Sequence, residues 1–204
     1  MIGLFVTATD TDIGKTIISG AILAAIKNRG INIGALKPLA SGCISNNDGV
    51  LEAEDATFLM RALDFPESKR TEVNMLALEP ALTPAVAAKV SGITINMATV
   101  MEHCYKVADS YEAVVVEGVG GITAPLIDDY LLADMIVAMN LPTILVATAG
   151  LGSINQVVLT AEYAKQRKIN LVGIIINKYD ENKAGILEES NLEYMTRLTG
   201  LPIL

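Results

Sequence analysis

Gly14-Lys15-Thr16 closes a short loop, Thr9-Asp10-Thr11-Asp12-Ile13, that follows the apolar run Gly3 to Ala8. A loop that turns a buried strand into a helix leaves backbone N–H groups unpaired at the helix start. With the helix dipole, those groups form an anion site. Lys15 can reach terminal phosphates there, and the Thr16 hydroxyl can ligate Mg²⁺. The strict phosphate-loop spacing would place its first glycine at position 9. Here that position is Thr9, with Ala8 the nearest small residue, so the loop is a variant with one strict glycine. The mostly apolar stretch from Ile17 to Ile26, closed by Gly30, reads as the helix the loop requires.

Further chemistry-bearing residues follow other apolar runs. Lys37-Pro38 comes after the run ending at Leu36, with Ser41-Gly42 close behind; a lysine facing a nucleotide cleft can stabilise transferring phosphate. Glu117-Gly118-Val119-Gly120-Gly121 ends a valine-rich run. An acid there is suited to metal or water opposite the phosphate loop, and the glycines permit close backbone approach to a ligand. Asp55 opens an apolar-periodic stretch, as a helix cap or as a Mg²⁺ oxygen. Gly150-Leu151-Gly152-Ser153-Ile154-Asn155 is a second strand–loop–helix start, able to hold an anion or to carry a plain serine cap. Asn177-Lys178-Tyr179-Asp180 places an asparagine to read a nucleobase.

The elements that must position these residues alternate. Apolar, β-branched runs occupy residues 2–8, 31–36, 113–116, 143–148 and 171–176. Helical patterns occupy 15–29, 96–109, 153–167 and 186–199. This order predicts an α/β fold of the P-loop nucleotide hydrolase kind, a parallel sheet flanked by helices on both faces. Ligands bind such folds beyond the carboxyl ends of the strands. Residues 38–54 hold Pro38, Gly42, Asn46, Asn47 and Gly49 and read as a long loop, functional or mobile.

Composition narrows the function classes. At 204 residues the chain is expected to form one domain, 1–204. A hydrophobic content of 51% and a mean hydropathy of +0.44 suit a sheet buried on both faces. A net charge of −8 argues against nucleic acid and against an anionic membrane as partners. Residues 131–150 are apolar, but Asp134, Asn140 and Pro142 divide them into a helix, a turn and a buried strand. The start reads as a strand and not a signal peptide. With only Cys43 and Cys104, well separated, a reduced cytoplasmic protein is expected. His103, the single histidine, is expected to pack or face solvent and not to bind metal.

Taken in order, these pieces resemble the dethiobiotin synthetases along nearly the whole chain. The residues carrying the resemblance are Thr9 to Thr16, Lys37-Pro38 with Ser41-Gly42, and Leu78-Glu79-Pro80-Ala81 with Pro84. Val116-Glu117-Gly118 with Gly120-Gly121, and Leu151-Gly152 with Ile154-Asn155, complete the set. The resemblance implies a biotin-pathway ligase. In that reaction 7,8-diaminononanoate takes up CO₂ as a carbamate, ATP phosphorylates it to a carbamic-phosphoric anhydride, and the second amine closes the ring. It implies that Lys15, Lys37 and Thr11 serve the chemical step and that Thr16, Asp55 and Glu117 ligate Mg²⁺. The nucleotide site would comprise Asp12, Ile13, Gly14, Lys15, Thr16, Ile17, Asp55, Glu117, Gly118, Val119, Gly120, Asn177 and Lys178. Thr11, Ser41 and Gly118 would meet the diamine or carbamate. Gly152, Ser153, Ile154 and Asn155 would bind its carboxylate from the partner subunit of a homodimer. The family continues past Leu201-Pro202-Ile203-Leu204 with a turn and a final helix near the base and ribose, so the chain is expected to lack that segment.

Rival readings share the phosphate loop. A ParA/MinD-type regulatory ATPase needs a second lysine early in the loop, where Asp10 stands. A GTPase-like switch is favoured by Asn177-Lys178-x-Asp180 but needs Asp-x-x-Gly where Glu117-Gly118-Val119-Gly120 stands. The synthetase domain of cobyrinate amidation enzymes would bring a glutamine-hydrolysing domain too large for this length. The resemblance implies ATP in preference to GTP, with GTP left open by Asn177-Lys178-x-Asp180.

Overall fold

The computed structural model describes residues 1–204. The first half runs β1 (Gly3–Ala8), α1 (Lys15–Lys27), β2 (Ile33–Leu36), β3 (Leu39–Ser41), β4 (Ile44–Ser45), β5 (Leu51–Glu52), α2 (Glu54–Leu63), α3 (Arg70–Val73), β6 (Leu76–Leu78) and α4 (Pro84–Val90). The second runs α5 (Met97–Ala108), β7 (Ala113–Glu117), β8 (Pro125–Ile127), β9 (Tyr130–Leu131), α6 (Leu132–Met139), β10 (Thr143–Ala147), α7 (Ser153–Gln166), β11 (Leu171–Ile176) and α8 (Ile186–Thr199).

The five long strands form one parallel sheet in the order β11-β10-β1-β7-β2, as the alternation predicted. Period-two alternation in the strands divides the core. Phe5, Val114 and Val116 join one apolar cluster with residues of α5 and α6. Val6, Ala8 and Val115 join a second with residues of α1 and α2 on the opposite face. Covering both faces leaves the strand ends as the place where polar groups gather. The central strands β1 and β7 carry their polar loops to the same edge, since Val6 is in register with Glu117.

The stretch 38–54 differs from the loop expected. It holds β3, paired in parallel with β6, and the small antiparallel hairpin of β4 and β5. Strands of two and three residues are too short to show a period, so the sequence hid them. Residues 131–150 form α6, a turn at Asn140 and the fully buried β10, as read. No helix is long and apolar enough to cross a membrane.

Candidate active site

Gly14 caps α1 with φ 100° and ψ 31°, a left-handed conformation that turns the loop into the helix. A Cβ there would lie 2.0 Å from the Asn177 amide nitrogen, so glycine is required twice over. The Asn177 amide donates to the Ile13 carbonyl at 2.8 Å, and Lys178 Nζ donates to the Asp12 carbonyl at 3.1 Å. The end of β11 thus grips the phosphate loop from outside. Lys15 Nζ donates to the Asp10 carbonyl at 3.1 Å, folded back over the loop.

Deeper in the cleft a charge cluster closes across three elements. Lys37, just past β2, is 2% exposed. Its Nζ lies 2.7 Å from Asp55 Oδ2 and 2.8 Å from Glu117 Oε1, and donates to the Gly118 carbonyl at 3.0 Å. Three acceptors use all three ammonium hydrogens. Asn74, buried, donates its amide to the Lys37 carbonyl at 2.7 Å and fixes the backbone beneath the ammonium. Burial alone would push the Lys37 ammonium down, but the Glu117 and Asp55 carboxylates outweigh it and hold the group above the ordinary lysine value. Asp55 is likewise pushed up by burial, yet Lys37 and the Thr16 hydroxyl hold it below the usual carboxylate range. Lys15 is pushed down by burial first and by the neighbouring Lys37 charge second.

The donor set fits a hard divalent cation. Thr16 Oγ lies 2.8 Å from Asp55 Oδ1 and 2.8 Å from Glu117 Oε1. A hydroxyl has one hydrogen, so only one of these contacts is a hydrogen bond; the other brings two lone-pair oxygens together and calls for a cation. Glu117 Oε2, also buried, has no hydrogen-bond partner. Three oxygens from Thr16, Asp55 and Glu117 suit Mg²⁺, which keeps most of its shell for phosphate and water. No group of three or more His, Cys, Asp or Glu side chains offers a site of the all-protein kind. Both cysteines are free and buried, and burial pushes the Cys104 thiol up to about 12.

A cleft of about 460 Å³ joins these parts. It is lined by Thr11, Asp12, Gly14, Lys15, Thr16, Ile17, Lys37, Ser41, Asp55, Val119, Gly120, Asn177 and Lys178. The fold therefore gathers most of the residues singled out from the sequence. Three others act at its edge: Ile13 and Gly118 through carbonyls, and Glu117 through its carboxylate. Gly118 is a glycine for a different reason than ligand approach, since a Cβ there would meet Leu132 at 2.7 Å and Phe5 at 3.2 Å. Asp55 does not cap α2; Ala53 holds that position and the Asp55 carboxylate turns into the cleft. Asp180 is held by Lys183 at 2.8 Å and by the Asn182 backbone, not by the loop.

Gly152, Ser153, Ile154 and Asn155 do not line that cleft. Gly152 caps α7 at φ 89°, and Ser153 Oγ donates to the Gly150 carbonyl at 2.6 Å instead of capping the helix. The Ser153 N–H donates to the same carbonyl at 3.2 Å, and Leu151 beside it is 90% exposed. Sequence reasoning missed Asn191, buried in α8. Its amide donates to the Ala149 carbonyl at 2.7 Å and the Gly150 carbonyl at 2.9 Å, and holds this loop from behind. Asn191 and Met195, one helical turn apart, are the buried residues of α8, and nothing in the apolar period marks a polar residue there as facing inward.

Comparison with known proteins decides the family. Residues 2–204 match the family described as an AAA domain. The ATP-dependent dethiobiotin synthetase BioD of Bacillus licheniformis is 36% identical over 204 residues, covering all of this chain and 84% of that protein. The chain belongs to the dethiobiotin synthetase family. The same-named protein of Clostridium novyi is 36% identical over 206 residues, covering 99% of this chain and 85% of that one. Among solved structures, a ParA family ATPase from Chlorobium tepidum matches with a TM-score of 0.55 at 17% identity, over 98% of this chain and 81% of that chain. That likeness shows the shared P-loop fold alone and lends nothing to the regulatory-ATPase reading. As a member of the family, the chain is an ATP-using ligase of biotin biosynthesis that acts on small molecules.

Proposed function

We propose that this chain closes the ureido ring of dethiobiotin from 7,8-diaminononanoate, CO₂ and ATP. The observation that carries the reading is the convergence of buried Lys37 and Glu117 with half-buried Thr16 and Asp55 beside Lys15, a phosphate-facing site with no side-chain nucleophile. One amine of the diamine adds to CO₂ and loses a proton, giving a carbamate. A carbamate oxygen attacks the γ-phosphorus of ATP, forming the carbamic-phosphoric anhydride and releasing ADP. The second amine attacks the carbamate carbon, phosphate leaves, and the ring is closed.

Each step gathers negative oxygens, and positioning with electrostatics can carry all of them. Lys15 neutralises the phosphates, with its ammonium folded over the loop. Lys37 faces the carbamate and the transferring phosphoryl group. Thr11 and Ser41, which both line the cleft, contact the diamine or carbamate. Thr16, Asp55 and Glu117 would hold Mg²⁺, which supplies charge neutralisation across the phosphates when bound. The start of α7, Gly152 to Asn155, lies outside the cleft of its own chain. Its placement supports a homodimer in which it meets the substrate carboxylate of the partner subunit. Asn177 reads the base, and the engagement of Asp180 with Lys183 favours ATP over GTP. A cytoplasmic setting accords with two free cysteines.

The test is phosphate release with Mg²⁺, ATP, bicarbonate and 7,8-diaminononanoate, leaving out each in turn and replacing ATP by GTP. Release should require all four components and run faster with ATP. Release without the diamine refutes the synthetase reading, and a GTP preference lost in Asp180→Ala refutes the base assignment.

A further inference from the structure

The Lys37 ammonium is bonded to the same carboxylates that the metal assignment uses. Nζ lies 2.7 Å from Asp55 Oδ2 and 2.8 Å from Glu117 Oε1, and Thr16 Oγ touches both carboxylates at 2.8 Å. Lys37 is 2% exposed and Glu117 1% exposed, so water does little to screen that pair, whereas the Asp55 side chain is 44% exposed and more fully screened. With the ammonium in place the two carboxylates keep one uncompensated negative charge. Adding a divalent ion while Lys37 stays would turn the cluster net positive, with Lys15 close enough to repel as well. Removing Lys37 would leave two carboxylates that a divalent ion neutralises outright.

We infer that Lys37 and a divalent cation are alternative counter-ions for Asp55 and Glu117, so that Lys37 holds down metal affinity until polyphosphate offers its ammonium other oxygens. Lys37 thereby makes metal entry depend on the nucleotide. The same move delivers its ammonium to the anions that react. Lys15 is folded back on the Asp10 carbonyl, while Lys37 spends all three hydrogens on the cluster, so Lys37 is the cation whose release the metal requires.

This inference rests on the metal assignment proposed above, and the experiment separates the two. The probe is Mn²⁺ alone, without nucleotide, followed by loss of the free-ion paramagnetic resonance signal. Lys37→Met keeps the side chain to within one atom of its length and removes its charge. It should bind Mn²⁺ about tenfold tighter or more than the wild type, since removing one buried like charge is worth at least that at close range. Equal or weaker binding overturns the inference. If Lys37→Met does not fold in metal-free buffer, Mn²⁺ should restore a cooperative melting transition; failure of Mn²⁺ to restore it also overturns the inference. Glu117→Gln is titrated in parallel with ATP present. Weakened Mn²⁺–ATP binding in Glu117→Gln, with no gain in Lys37→Met, refutes only the exchange. No change in either variant refutes the metal assignment and the exchange with it.

Discussion

Gly14→Ala perturbs the contact on which the phosphate loop and the β11 end both depend. At φ 100° an alanine is strained, which costs about 1–2 kcal/mol. Its Cβ would meet the Asn177 amide nitrogen at 2.0 Å, so that side chain must rotate off the Ile13 carbonyl. Losing that hydrogen bond costs about 1 kcal/mol more. Restricting the unfolded chain returns about 0.4–1 kcal/mol. The net destabilisation is about 2 kcal/mol, a fall in Tm of about 4–8 °C for a chain of this size. Thermal melting of Gly14→Ala, Asn177→Ala and the double variant checks the working. With Asn177 already truncated there is nothing to displace, so the alanine should cost about 1 kcal/mol less. Because Asn177 is also the proposed base reader, the dissociation constant for ATP should rise by about tenfold in Gly14→Ala. An unchanged Tm, or an equal cost in both backgrounds, would refute the claim that Asn177 and Gly14 are in forced contact.

Two further outcomes follow from the site. Lys37→Ala, assayed in saturating Mg²⁺ and substrates, should lose about a hundredfold or more in turnover, the scale of a cation that stabilises developing charge; near-normal turnover would make the buried ammonium purely structural. Asn191→Ala removes the buried donor to the Ala149 carbonyl, at a cost of about 1–3 kcal/mol by melting, while the Gly150 carbonyl keeps Ser153. As a positioning residue for the α7 start, it should raise KM for the diamine well above any change in KM for ATP, and equal changes in both would reduce it to a packing residue.

What the sequence could determine was local. Gly14-Lys15-Thr16 after an apolar run, and acids or lysines just past other such runs, reflect backbone geometry and burial that act within a dozen residues. Strand–helix alternation extends the same logic to the sheet and to the edge where ligands bind. The three longest helices expected beyond the first, α5, α7 and α8, lie where their periodicity placed them. What only the tertiary structure decided depended on groups far apart in the chain. Asp55 could have been a cap or a metal oxygen; Ala53 takes the cap, and the Asp55 carboxylate turns across the cleft to Thr16 and Lys37. Gly118 is small because Leu132 and Phe5 crowd it, which no local pattern records. Asn177 grips Ile13 across 164 positions, and Asn191 holds the loop after β10 from α8. The physical reason is common to all four. A side chain's role at a strand end is set by the charge, donor or volume that packing brings within about 3 Å of it, and those partners come from whichever segments the parallel crossovers return to the same edge.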